Sequence, residues 1–369
     1  MKNMRRIFLA GVMSVFLLGA GCLSVNKPAP SSLGIYRSPN KGESWNEINL
    51  YPTAQGVKSL SGIKVYRIFS DPSDNNAYYM ATRGQGLYYS YDKGDSWATV
   101  PFFQNKFIYG VAVDPTNKCA IYVIDATSIY KSVDCTRTWS QMNYAQSTAK
   151  LVSIAIDSGN HNSVLAALED GNLLQSTNGG VSWRVIKDFN VTLREMLTDP
   201  KIPGRIYVAS ASRGMSRSDD GGENWVDVSN GLQTFSEGLT FYRLVLDPST
   251  KDSIYWLSKY GIFHSTNAGS TWSEVKLVTS PGTVNIYNMA VNPANPKELF
   301  YTGTVFAAAN SSAFGVSGGN TVASSKLYKS VDGGVTWFNR KLPSSAIPVS
   351  LFIHPDLTNL LYVAFTSAQ

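Results

Sequence analysis

Side chains that could carry chemistry are sparse in this sequence of 369 residues, and their spacing says much about what it can do. The three histidines, His161, His264 and His354, fall in different segments, and Cys119 and Cys135 are too few ligands for a metal. A carboxylate pair for glycoside cleavage could be drawn from Glu169, Asp170 and Glu237, but no spacing singles out two of them. No nucleophile–base pattern and no phosphate-cradling loop is present. Neither a metal nor a cofactor is expected. Charged groups beside aromatics are a more promising material. Arg83 with Gln85, Glu169 with Asp170, Arg213, and Lys259 with Tyr260 lie between apolar runs. Phe103 and Lys106 belong to Pro101–Phe107 (PFFQNKF), and Phe235 to Leu232–Gly238 (LQTFSEG). Such mixtures suit a binding surface; a solvated rim with a few packed rings is the alternative.

The elements that must position these groups are repeats. Seven segments share one pattern: Ser, any, Asp or Asn, any, Gly, any, Ser/Thr/Asn, Trp. The first four place these residues at Ser38, Asn40, Gly42 and Trp45; Ser90, Asp92, Gly94 and Trp97; Ser132, Asp134 and Trp139; and Ser176, Asn178, Gly180 and Trp183. The remaining three are Ser218, Asp220, Gly222 and Trp225; Ser265, Asn267, Gly269 and Trp272; and Ser330, Asp332, Gly334 and Trp337. Seven of the eight tryptophans are used in this way. Asp or Asn can bond the backbone of its own turn, Gly takes the positive φ, and Trp packs at the blade edge between neighbours. The third copy has Thr136 in place of Gly, and an altered turn is expected there. Between boxes, apolar strands run into Asp-Pro-like turns and out again, as in Tyr109–Asp125 (YGVAVDPTNKCAIYVID) and Phe241–Ser258 (FYRLVLDPSTKDSIYWLS).

The order of the halves predicts closure. The repeats open with a box (Ile35–Ile48) lacking its strand pair, and close with a strand pair (Leu351–Phe365) lacking its box. Joined, they make one composite blade and remove the open edge. The expected fold is all-β, a single seven-bladed propeller of four-stranded antiparallel blades over residues 34–369. Abundant Tyr, Phe and Trp and a 43% hydrophobic composition agree with that.

Residues 1–21 are set apart as a secretory signal. Lys2, Arg5 and Arg6 precede an apolar run, Ile7–Leu18, and the small residues Gly19, Ala20 and Gly21. Cys22 follows directly, an arrangement similar to a bacterial lipobox, with Leu18 one place further from the cysteine than in the commonest form. That resemblance implies acylation of Cys22 and a cell-envelope, extracytoplasmic location, with residues 22–33 as a Pro- and Ser-rich tether. Without its signal the chain falls from a formal +6 to +3, too balanced to imply a nucleic-acid partner. A monomer is expected.

The repeated motif resembles the Asp-box, or BNR, repeat of sialidases, sortilin-type receptors, xyloglucanases and photosystem II assembly factors. The resemblance spans nearly the whole mature chain, and it is specific for fold rather than function. It implies that box turns and Asp-Pro turns share one face, while strand 2–3 loops and inter-blade connections share the other, where related enzymes bind substrate. Departures are instructive. The early Arg-Ile-Pro motif of sialidases is absent, the two facing propellers of xyloglucanases exceed this length, and the Gly-Trp strand start of photosystem II assembly factors is missing. Sortilin-type strands are closer, without the cysteine-rich module of the receptors. In an antiparallel pair centred on Thr127, Cys119 and Cys135 face one another, so a disulfide is expected, with two free thiols as the alternative. The expected function is a membrane-tethered binding or assembly scaffold for a protein or glycan partner, with a glycoside hydrolase as the alternative. Phe306–Ser325, rich in small residues, lengthens the last full blade and is a candidate functional insertion.

Overall fold

The computed structural model describes residues 32–144, 148–307 and 322–367. The expected signal segment, Cys22, and most of the expected tether and of the Phe306–Ser325 insertion lie outside them. Seven four-stranded antiparallel sheets follow one another as blades. The inner strand of each touches the next, and the seventh touches the first, so the ring closes into a β-propeller. Among the described residues helix is confined to two single 3-10 turns, Pro101–Phe103 and Leu232–Thr234, both between blades. Among the described residues no helix is long and apolar enough to cross a membrane.

Blades 1 to 6 begin with inner strands Val65–Asp71, Gly110–Asp114, Leu151–Ile156, Leu193–Thr198, Phe241–Leu246 and Asn285–Asn292. Blade 7 is the composite: Ile347–Ile353 and Leu361–Thr366 pair with Gly34–Ser38 and Asn46–Glu47. The closing ladder runs from Gly34↔Phe365 to Ser38↔Leu361. Second strands such as Val164–Leu168 and Leu361–Thr366 are buried along their whole length. They are covered on both faces by adjacent blades, which is why they read as continuous apolar runs rather than alternating ones. A short hairpin, Leu50–Thr53 with Gly56–Ser59, lies between blades 7 and 1. It was not legible in the sequence, because its short strands are largely exposed and carry no alternation of buried and exposed apolar residues.

Each box is one hydrogen-bonded turn. The Ser hydroxyl accepts the N–H four residues on and donates to the Asp or Asn, whose Oδ1 accepts the N–H four residues beyond it. In blade 1 these are Gly94 N to Ser90 Oγ at 2.9 Å, Ser90 Oγ to Asp92 Oδ1 at 2.7 Å and Ser96 N to Asp92 Oδ1 at 2.9 Å. The glycine serves twice. At Gly222 φ is +99°, and an added Cβ would stand 2.6 Å from Ile186 Cδ1 of the preceding blade. Trp Nε1 often completes the joint. Trp45, Trp97, Trp272 and Trp337 donate across to carbonyls of Lys341, Ile48, Val228 and Lys276 in the preceding blade. Trp139, Trp183 and Trp225 donate to their own box. The residue before the box serine reaches the other way: Arg37, Lys131, Gln175 and Arg217 donate to box carbonyls of Lys93, Gly179, Gly221 and Ala268 in the following blade.

The third box corrects one expectation. Its turn is not altered: Thr136 adopts φ +71° and its N–H still bonds Ser132 Oγ at 3.1 Å. Cys135 beside it is also left-handed, at φ +57°. A disulfide joins Cys135 to Cys119, so the turn that lacks glycine is tied covalently to the strand beside it. The ladder is centred slightly before Thr127, with Ile121 opposite Ser132, and the box turn brings Cys135 across to Cys119.

Candidate functional site

Six of the seven inner strands carry a register shift within their first residues. A bulge inserts one residue, bends the strand and re-aims side chains. The inserted residues are Tyr66, Val152, Arg194, Tyr242, Tyr287 and Val349. Blade 2 has Tyr109 just before its strand. The channel mouth on the face of the strand 2–3 loops is therefore ringed by four tyrosines, an arginine and two valines. Tyr66 packs edge-on against Phe107 and Tyr109, which stack on each other at 4.3 Å, and the Arg83 guanidinium lies over the Tyr66 ring.

The residue after each bulge is polar: Arg67, Ser153, Glu195, Arg243, Asn288 and Ser350. Three of them clasp the next blade. Ser153 Oγ donates to Met196 O at 2.9 Å, Glu195 Oε2 accepts Leu244 N–H at 2.9 Å, and Ser350 Oγ accepts Ile68 N–H at 3.0 Å. Asn288 Oδ1 accepts the N–H of the adjoining Met289, whereas Arg67 and Arg243 meet Glu195 across the channel. Arg67 Nη1 of blade 1 lies 2.6 Å from Glu195 Oε1 of blade 4, and Arg243 Nη1 of blade 5 lies 3.4 Å from the same oxygen. Burial alone would raise the Glu195 carboxyl. The charges of Arg67 and Arg243 and the Leu244 N–H outweigh it and hold the group below the usual carboxylate range. Burial, then repulsion from Arg67, lower Arg243.

This ion cluster divides the channel. Towards the tyrosine mouth lies a cavity of about 160 Å³ lined by Tyr66, Val152, Arg194, Phe241, Tyr242 and the cluster itself. Towards the box face lies a more apolar one of about 410 Å³, with Phe69, Val111, Ile154 and Leu197 in its wall.

Of the residues picked out from sequence, Arg83 and Glu169 come to the mouth, where Glu169 pairs with Arg194 at 2.7 Å. Lys259, Tyr260 and Phe235 gather on the rim of blade 5. Lys259 pairs with Glu237 at 2.9 Å, Tyr260 donates to Glu274, and Phe235 packs on Tyr260 and Phe263. Hydrogen bonds from Thr240 and Lys259 hold Glu237 below its ordinary value. Asp170 and Arg213 are exposed; Asp170 Oδ1 accepts Asn172 N–H, and the Arg213 N–H bonds Ser210 Oγ. Gln85 ties its loop by accepting Lys64 N–H. Phe103 is no surface group: it is fully buried against Tyr130 and Trp139. Lys106 is likewise engaged, at 2.7 Å from Asp125 and above the Tyr130 ring.

Sequence reasoning reached Phe107 only as the end of the Pro101–Phe107 segment, and missed Tyr66, Tyr109, Arg194, Tyr242 and the Arg67–Glu195–Arg243 cluster. A signal was there. Aligned on their inner strands, the repeats read Tyr-Arg, Tyr-Gly, Arg-Glu, Tyr-Arg and Tyr-Asn at 66, 109, 194, 242 and 287.

Fold and mouth together define a single β-propeller with a plugged channel and a tyrosine- and arginine-lined opening. No family profile matches the chain. Over 276 residues, 69% of this chain, it is 25% identical to xyloglucanase Xgh74A of Acetivibrio thermocellus, covering 30% of that protein. Over 260 residues, 64% of the chain, it is 28% identical to a xyloglucanase of Hypocrea jecorina, covering 28% of it. The chain thus spans less than a third of the length of these relatives. Among solved structures, the GH74 xyloglucanase of Xanthomonas campestris superposes with a TM-score of 0.63 at 18% identity, over 90% of this chain and 52% of that one. YCF48 from Cyanidioschyzon merolae gives 0.61 at 12% identity, over 90% and 98%. YCF48 bound to D1 peptide gives 0.58 at 16%, over 92% and 99%. These likenesses establish the shared propeller.

Proposed function

We propose that the chain is a non-catalytic binding or assembly scaffold, tethered through Cys22 on the extracytoplasmic side of a membrane, that offers its channel mouth to a protein or glycan partner. The observation that carries this reading is the make-up of the mouth. Aromatic rings and guanidiniums converge there, whereas Glu195, Glu169 and Glu237 are each engaged by a cation: Glu195 by Arg67 and Arg243, Glu169 by Arg194, Glu237 by Lys259. A glycosidase acid must be held protonated by its surroundings, and the surroundings of Glu195 and Glu237 act in the opposite sense. The YCF48 structures, aligned over nearly their whole length and one of them with a peptide bound, support a single propeller working as a binding module.

The xyloglucanase relatives support a second reading, hydrolysis of an extracellular glycan. Prolonged incubation of the mature protein with xyloglucan, read as reducing-end release, separates the two. No release above a heat-killed control is expected. Release that disappears in Glu169→Gln or Glu237→Gln would replace the scaffold with a hydrolase.

A further inference from the structure

The ion cluster that plugs the channel is unbalanced. Arg67 and Arg243 each have an ion-pair partner among the described residues, and it is the same oxygen, Glu195 Oε1. Arg194, the third guanidinium lining the small cavity, is already matched by Glu169. Two half-buried guanidiniums therefore share one buried anion, and a net positive charge sits at the cavity floor. Buried charge is costly unless paired and hydrogen-bonded. A second, independent observation agrees: the Arg243 Nε–H is buried and has no acceptor, and neither has Arg83 Nε beside Tyr66. Buried donors without acceptors are rare in folded proteins.

We propose that the mouth-side cavity is a carboxylate-binding site. The oxygens of the ligand are held by Arg243 and Arg67, and Tyr66, Phe241 and Tyr242 flank the group that carries them. The cavity, about 160 Å³, holds roughly five water-sized groups at about 30 Å³ each, enough for a carboxylate and its first carbons. The planar guanidinium fork matches that ligand geometrically. Glu195 has two roles here. It keeps the cluster foldable without ligand, and it competes with the ligand for the same donors. The site rests on the reading of the mouth as the ligand face and sharpens it: the partner would present an acidic group, borne either on a sugar ring or on a peptide.

The test uses small acids and the mature protein, so its result does not depend on finding a natural partner. At constant ionic strength, D-glucuronate and N-acetylalanine are titrated calorimetrically beside glucose and N-acetylalanine amide. The acids are expected to bind saturably and the neutral probes not at all; whichever acid binds more tightly identifies the source of the carboxylate. Arg243→Gln leaves a balanced Arg67–Glu195 pair. It is expected to weaken acid binding at least tenfold while leaving the thermal midpoint without ligand unchanged or higher. Glu195→Gln removes the competing carboxylate and is expected to tighten binding about tenfold. If Glu195→Gln does not fold, Arg243→Gln decides alone. Absence of saturable binding, equal binding of neutral probes, or unchanged affinity in Arg243→Gln would overturn the site.

Discussion

Replacing Thr136 with glycine should stabilise the protein, and the disulfide beside it should be what lets the threonine persist. Thr136 stands at φ +71° where six sister boxes place a glycine, and Cys135 precedes it at φ +57°. A left-handed conformation costs a β-branched residue about 1–2 kcal/mol. Glycine loses some of that gain through the freedom it adds to the unfolded chain, about 0.5–1 kcal/mol. The net expectation for Thr136→Gly is a gain of about 1 kcal/mol. The Cys119–Cys135 bridge spans 16 residues and should contribute about 3 kcal/mol by restricting the unfolded chain. Urea denaturation followed by tryptophan fluorescence is the assay, since Trp139 Nε1 bonds Thr136 O within the same box. Cys119→Ala with Cys135→Ala should lose about 3 kcal/mol, and Thr136→Gly should recover about 1 kcal/mol in that background. If Thr136→Gly destabilises both backgrounds, the threonine is held by packing and the reasoning from backbone conformation fails.

Other expectations follow from the joints between blades. Trp97→Phe leaves the buried Ile48 carbonyl without its donor and should cost about 2 kcal/mol, whereas Trp225→Phe, whose Nε1 bonds its own turn, should cost about 1 kcal/mol or less; paired denaturation curves check the difference. Gly222→Ala combines φ +99° with a 2.6 Å approach to Ile186, and should cost about 2 kcal/mol in the same assay. Acid should weaken the fold. Glu195 is lowered when folded, as is Asp134, to about 2, by its bonds to Thr138. A carboxylate lowered in the folded state contributes fully above its unfolded value, about pH 4, and that contribution fades as pH falls through the folded value. Thermal midpoints should therefore be flat with respect to these groups from about pH 5 to 7 and fall steeply towards pH 2. Scanning calorimetry across that range would refute the assignment by showing a midpoint that holds below pH 3.

The blade plan was legible because box chemistry is local. Ser, Asp or Asn, Gly and Trp meet within eight residues, and the hydrogen bonds that join them do not depend on the rest of the ring. Closure was legible too, since an orphan box and an orphan strand pair can satisfy each other's edges only by meeting, as Ile35 and Ala364 do. The mouth was not. Whether Tyr66 or Arg67 faces the channel depends on a one-residue bulge, and a bulge leaves little mark in the apolar pattern that reveals a strand. The ion cluster draws on blades 1, 4 and 5, whose shared centre exists only once the ring has closed. Phe103 misled for the reverse reason: a ring in an inter-blade connection looks like a surface group, yet the 3-10 turn beneath it drives it into the core. At Thr136 the rule that glycine fills a left-handed site was overridden, and a covalent tie lies beside the exception.

The claim most exposed to test is that the tyrosine-lined mouth, rather than the box face, meets a partner. A photo-crosslinking amino acid at Phe107, on the mouth, can be compared in intact cells with the same group at Val181, exposed on a box turn. The account predicts a discrete light-dependent adduct from position 107, competed by the acid that the channel binds, and none from position 181. An adduct formed only from position 181 would contradict it and move the functional face to the other side of the ring.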